Sequence, residues 1–332
     1  MIVFTSGTTT LPKGVVHTVG SLSNTVEKIE QILAPSSSDV FYAALSQFLL
    51  LAVALGVTVI VPDKKFSGEV FFEDLKRYRP TVIFGPPAEI MSLMKYCKSK
   101  KLKIPSNVKK IILGSAPVLT GFLSKLAKFV SSDTDVIALY GMTEIVPVAL
   151  VHSEYKINWK GAGDLLGDFV PGIEYKIAKD GELLLRGHNL FKNYLGFKKA
   201  KWAETGDLVR ITNNKLVLLG RKKDMIIRDN YNIYPSLYEP IIQRIPGISD
   251  CAIVGVRDEE LEDEKIILAI EPEDLDKKDL VSFVEKNLRV GEYSIDTQAY
   301  PDKVIAIKLP RSGRQKKVDK NKLRQIITTQ YL

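Results

Sequence analysis

The sequence predicts an α/β protein. Its large domain holds a mostly parallel, βα-layered sheet plus a small antiparallel β portion, and a separate small α+β domain follows at the C-terminus. Three observations carry this. Short β-branched runs alternate with amphipathic stretches through the first part of the chain, hairpin signals take over after residue 161, and a new helical start follows residue 220.

"VTVIV" (57–61), "TVIFG" (81–85), "VKKIILG" (108–114) and "DVIALYG" (135–141) are apolar enough for strands buried on both faces. "GEVFFEDLKRY" and "APVLTGFLSKLAKFV" carry helical spacing between them. "FLLLAVALGVTVIV" (48–61) reads as a buried helix leading into a strand, because Gly56 breaks it and it is too short for a membrane span, which needs about 20 residues. Asp180-Gly181 and Asn213-Asn214 sit between apolar runs and predict antiparallel hairpins. Beyond "GRKKD" (220–224) come a helix, two strands, a helix and a strand, so the predicted domains are 1–220 and 221–332.

Of 332 residues, 45% are apolar and 26% charged, the composition of an ordinary globular chain. The net charge of +8 fits a lysine-rich solvated surface, and the basic run from Arg311 to Arg324 lacks the interleaved aromatics of a nucleic-acid site. Neither a nucleic-acid nor a membrane partner is expected. Cys97 and Cys251 make no framework or C-x-x-C pair, and no basic-then-apolar leader opens the chain, so a cytoplasmic setting is expected.

"FTSGTTTLPKGVVH" (4–17) concentrates groups that suit phosphate: Thr5, Ser6, Gly7, Thr8, Thr9 and Lys13 offer backbone N–H groups, hydroxyls and a cation. It fails the G-x-x-x-x-G-K-[ST] spacing, and on its own it also fits a solvated turn. Further on, "GSAP" (Gly114, Ser115, Ala116, Pro117) precedes "LYGMTE" (139–144). "TGD" (205–207), "GRKKDMIIRDNYNIYP" (220–235) and "LPRSGRQKK" (309–317) come later.

Taken in order, these segments resemble the adenylate-forming (AMP-binding) superfamily, in particular its acyl-CoA synthetases. The resemblance implies an ATP-dependent, AMP-forming acid:CoA ligase acting on a small carboxylic acid, with ATP, Mg²⁺ and coenzyme A. The alternative is a catalytically degenerate nucleotide-binding remnant or regulatory protein of the same fold. It implies that the ring of Tyr140 stacks on adenine beside Gly141 and Met142, that Thr143 faces phosphate, and that Glu144 offers Mg²⁺ a hard carboxylate oxygen. Asp207, acceptor-only, suits two ribose hydroxyls with Arg221 nearby, and Lys223 is where the small domain would swing. Lys316 would bridge carboxylate and α-phosphate, with Lys317 a rival because Gln315 stands where the family has glycine.

Thr10, and Asp229-Asn230, also stand where that family has glycine. His17 resembles a position in synthetases for acetate and other small acids, implying a short or aromatic acyl group; a histidine at a helix start without a chemical role is the alternative. His152 and His188 have no metal-ligand spacing. The family carries a long segment ahead of the loop where this chain has three residues. That implies a truncated frame, a minimal enzyme, or a homodimer or partner chain completing the region.

Overall fold

A computed structural model describes residues 1–4, 13–44, 47–62, 67–228, 231–258, 263–273, 279–312 and 317–331, without the side chain of Gln47. The chain forms two compact units. One comprises Met1–Lys160, Leu165–Thr205 and Arg210–Val217; the other comprises Gly161–Asp164, Gly206–Val209 and Leu218–Leu332.

Along the chain run β1 (Ile2–Phe4), β2 (Gly14–Val16), α1 (Val19–Leu33), β3 (Val40–Ala43), α2 (Gln47–Ala54), β4 (Thr58–Ile60), α3 (Gly68–Tyr78), β5 (Val82–Gly85), α4 (Pro87–Lys100), β6 (Lys110–Leu113), α5 (Thr120–Leu126) and β7 (Asp135–Met142). There follow β8 (Ile145–His152), α6 (Ser153–Ile157), β9 (Asp164–Phe169), β10 (Glu174–Ile177), β11 (Glu182–Arg186), β12 (Asn193–Tyr194), β13 (Ala203–Thr212) and β14 (Lys215–Arg221). One 11-stranded sheet has the order β10-β11-β13-β14-β9-β8-β7-β6-β5-β3-β4. Strands β4, β3, β5, β6 and β7 pair in parallel, and β7 to β8 is antiparallel, so the sheet changes character at β7.

Alternate residues of the parallel strands enter two different cores. Tyr42, Ile83, Ile111 and Leu113 join the core of α3 and α4, while Phe41, Val82, Phe84 and Ile112 join the core of α1 and α2. The period of two along a pleated strand explains this, and it is why these strands read as continuous apolar runs.

Local signals set the helix ends. Thr18 caps α1, its side chain accepting from Ser21 N–H at 3.0 Å, and Ser67 caps α3 through Val70 N–H at 3.2 Å. Two expectations change. Helix α2 is half buried, with Leu51 and Ala52 inside and Leu50 and Val53 more than 60% exposed, because it packs one face on the sheet. Helix α5 begins only at Thr120, since 114–118 are spent leaving β6.

The predicted hairpins form. Gly181 and the Asn213-Asn214 pair adopt positive φ between antiparallel strands, as such tight turns require. At Gly167 of β9, φ is +91° and a Cβ would lie 1.9 Å from the Leu150 carbonyl oxygen, so only glycine lets β9 approach β8.

In the second unit, β15 (Ile226–Arg228) and β16 (Tyr231–Ile233) form a ribbon before α7 (Pro235–Ile242). Strands β17 (Ile248–Asp258), β18 (Asp263–Pro272) and β19 (Lys303–Ala306) make a three-stranded sheet, with α8 (Leu280–Arg289) between the last two in sequence. Ile226, Ile242, Ile253, Leu268 and Val284 pack one core, and Val254, Ile267, Leu323 and Ile327 another. The chain ends in a short hairpin, β20 (Arg311–Ser312) with β21 (Lys317–Val318), and α9 (Lys320–Gln330), capped by Asp319.

Candidate active site

The first unit builds a site from the turn between β7 and β8. Met142 pairs with Ile145, leaving Thr143 and Glu144 as a two-residue connection. The register slips between Tyr140 and Met142, and Gly141 absorbs the bulge: a Cβ there would meet Val146 Cγ2 at 2.8 Å. Buried Glu144 is fixed twice. Its carbonyl accepts from Phe191 N–H at 2.8 Å, and its Oε1 accepts from the Tyr194 hydroxyl at 2.7 Å. Burial and this carboxylate push the Tyr194 hydroxyl well above the usual tyrosine range, so it stays a donor.

Thr143 is held from the other side. His17 Nε2 lies 2.8 Å from Thr143 O, and His17 Nδ1 lies 3.3 Å from Ser21 Oγ. A carbonyl only accepts, so Nε2 carries the proton. Burial, the largest cause, lowers the His17 pKa and favours this neutral ring. Lys13 sits 5.1 Å above the Tyr194 ring, which ties the end of the predicted phosphate loop to the same aromatic.

Gly114, Ser115, Ala116 and Pro117 leave the C-terminal end of β6, next to β7, with Ser115 at φ +66° and Gly114 close to Leu139 O. Tyr140 and Gly141 lie near the C-terminal end of the neighbouring strand β7, which pairs in parallel with β6 and antiparallel with β8. Open α/β sheets commonly place ligands beside the carboxyl ends of their parallel strands, which is where these residues lie. Thr5, Ser6, Gly7, Thr8 and Thr9, and Lys316, lie outside the described residues.

The second unit holds a distinct cluster. Asp207 is 2% exposed, and Arg221 Nε lies 2.6 Å from its Oδ1. Lys317, facing Arg221, Lys223 and Asp207, has its pKa lowered by desolvation and by the two cations, with Asp207 acting the other way. Lys223 is lowered too, mainly by desolvation. The hairpin bearing Lys317 is tied down at both ends. Arg311 Nη2 bridges Asp250 at 3.0 Å and Glu271 at 2.7 Å, and Lys320 Nζ meets Glu239 Oε1 at 2.7 Å.

The sequence therefore anticipates Glu144, Thr143, Asp207 and Arg221 as members of these two clusters. It misses Tyr194 and Asn189. Asn189 is fully buried and donates to the Val146 and Pro147 carbonyls at 3.0 and 3.1 Å, bracing β8 just after Glu144. The one signal for both is "HNLFKNYLG", an amide and aromatics packed into a loop. Among the described residues no three carboxylate, histidine or cysteine side chains converge as a metal site, so a cation at Glu144 would depend on oxygens of a bound ligand.

The comparisons with known proteins fit this arrangement. The family model described as AMP-binding enzyme matches residues 1–195. The 2-succinylbenzoate–CoA ligase of Listeria monocytogenes serotype 4b is 28% identical over 98% of this chain and 69% of its own length. Feruloyl-CoA synthase of an Amycolatopsis species is 27% identical over 78% of this chain and 56% of its own. Among solved structures, the O-succinylbenzoate coenzyme A synthetase of Bacillus subtilis in complex with ATP and magnesium ion has a TM-score of 0.80. It is 23% identical, covering 97% of this chain and 69% of that one, and so speaks for the fold. The chain spans 56 to 70% of the length of the curated relatives it matches. By the family match over more than half of its residues, the chain belongs to the AMP-binding enzyme family.

Proposed function

We propose that this chain carries the nucleotide chemistry of an AMP-forming acid:CoA ligase. A carboxylic acid attacks the α-phosphate of ATP, pyrophosphate leaves, and the acyl-adenylate passes its acyl group to the thiol of coenzyme A. The observation that carries this reading is Glu144: a carboxylate buried in a two-residue turn, braced by Tyr194, just past the C-terminal end of the parallel-paired strand β7.

Mg²⁺, when bound with the nucleotide, supplies charge neutralisation at the phosphates. The chain's own residues do the rest. Glu144 offers the cation an oxygen while Tyr194 fixes its carboxylate plane. Thr5 to Thr9 and Lys13 cradle phosphate, Tyr140 and the 114–117 segment receive the base, and Asp207 accepts from ribose hydroxyls with Arg221 beside it. Between the half-reactions the C-terminal domain, 221–332, swings about Lys223.

For the lysine of the first step we favour Lys317 over Lys316. What supports this is that the charges of Arg221, Lys223 and Asp207 act on Lys317, which sets it near the residues assigned to ribose. An ammonium bridging carboxylate and α-phosphate offsets their repulsion most in the transition state.

The test is acid-dependent exchange of labelled pyrophosphate into ATP across a panel of short-chain and aromatic acids. Exchange with at least one acid supports the ligase. ATP binding by calorimetry with no exchange for any acid means a nucleotide-binding remnant instead.

A further inference from the structure

Residues 90–132 contain nine lysines and no acidic residue, whereas the rest of the chain holds 38 basic residues against 39 acidic ones. The positive excess of the protein therefore resides in this one segment. The fold then gathers it along one edge of the first unit.

Lys98 and Lys100 end α4, and Lys101 and Lys103 follow directly. Ile104 N–H donates to Phe129 O at 2.8 Å, which seats the turn after α5, with Lys125 and Lys128, beside them. Asn107 Nδ2 donates to Pro80 O at 2.7 Å and Lys109 N–H to Thr81 O at 2.7 Å, bringing up Arg77 and Arg79 from the end of α3. Lys95, Lys98, Lys100, Lys101, Lys103, Lys109, Lys125 and Lys128 are all exposed, and among the described residues none forms an ion pair. On the C-terminal side of the segment, Asp135 is paired with His152 at 2.7 Å and Asp133 accepts from the Ser132 hydroxyl at 3.0 Å.

Helix dipoles explain part of this. Cations suit the carbonyl ends of helices, which covers Lys98, Lys100 and Lys125. They do not explain Lys101, Lys103, Lys109 and Lys128, which lie beyond those helices, nor the lack of any acid over the whole span. The edge is also far from the proposed chemistry. It lies at the N-terminal ends of β5, β6 and β7, whereas the 114–117 segment and Glu144 leave the opposite ends of β6 and β7.

We propose that this lysine edge is a peripheral docking surface for an anionic lipid bilayer. The chemistry favours lipid over nucleic acid. Lysines dominate the edge, hydrated point charges that respond to a diffuse negative surface, with the guanidinium groups of Arg77 and Arg79 only at its margin. Residues 98–110 hold no aromatic ring on which a base could stack, while Leu102, 38% exposed among four lysines, supplies an aliphatic side chain for the interfacial layer. This departs from the expectation of no membrane partner, because the lysines are dispersed in sequence and only the fold unites them.

The test is co-sedimentation of the full chain with phosphatidylcholine vesicles, with and without phosphatidylglycerol, at rising salt. Binding to the anionic vesicles alone, weakened by salt, is expected. The triple variant Lys98→Glu, Lys101→Glu, Lys103→Glu should lose binding by on the order of 10-fold or more. The milder triple variant to Gln should fall between, with unchanged thermal melting and unchanged pyrophosphate exchange. Equal sedimentation with neutral vesicles, no loss in either variant, or capture by polynucleotide that vesicles fail to compete away would each overturn the proposal. The sedimentation and melting readouts do not depend on the ligase assignment.

Discussion

Glu144 and Lys317 carry opposite charges into the same proposed reaction, Glu144 held by the Tyr194 hydroxyl and Lys317 with its pKa lowered first by desolvation and then by Arg221 and Lys223. If Lys317 makes the transition-state contact, Lys317→Ala lowers pyrophosphate exchange on the order of 10² to 10³-fold while Lys316→Ala leaves it within a few-fold. The reverse ranking would move the register of this segment by one residue. His17 gives a pH prediction of definite sign. Its folded pKa lies below the ordinary 6.5, so the folded state binds fewer protons than the unfolded chain once pH drops under that value. Its contribution is complete above pH 6.5 and is lost as pH falls toward the folded pKa. Chemical denaturation of the wild type between pH 7 and pH 5 should show this slope, and His17→Gln should flatten it.

At the level of elements, the lysine hairpin is two short strands that cannot be stable alone, so the ion pairs at its ends must set its position. Glu239→Gln should lower pyrophosphate exchange on the order of 10-fold, the scale of a lost partly buried ion pair, while leaving thioester formation from supplied acyl-adenylate unchanged. Equal loss in both half-reactions would mean that the pair serves folding alone. Much of this architecture is legible in the sequence. The parallel strands announce themselves because both faces are buried, and Asn213-Asn214 and Asp180-Gly181 name their own turns. The 144–194 contact is not legible, since a phenol 50 residues from its carboxylate leaves no periodic trace. Helix α2 misleads for a related reason: an apolar run states how hydrophobic a segment is, never how much of it the fold covers.

Across the whole molecule, the hydrophobic cores of the two units share no residue. Both tryptophans, Trp159 and Trp202, fall in the first unit, so their fluorescence reports on that unit alone. Leu268→Ala, at a fully buried position of the second unit, should cost about 2–5 kcal/mol there. It should lower a transition seen by far-ultraviolet circular dichroism and leave the tryptophan transition in place. A single shared shift in both signals would show that the two units unfold as one.

The turn that carries Glu144 has one further consequence. Strand pairing closes it at Met142 and Ile145, the bulge at Gly141 has already taken up the spare residue, and Phe191, Tyr194 and His17 hold its two members in place. Such a turn has no slack. Adaptation to a larger or smaller acid must come from side-chain exchange or from the longer loops around it, because a single inserted residue here would flip the strand register and carry the carboxylate to the wrong face of the sheet.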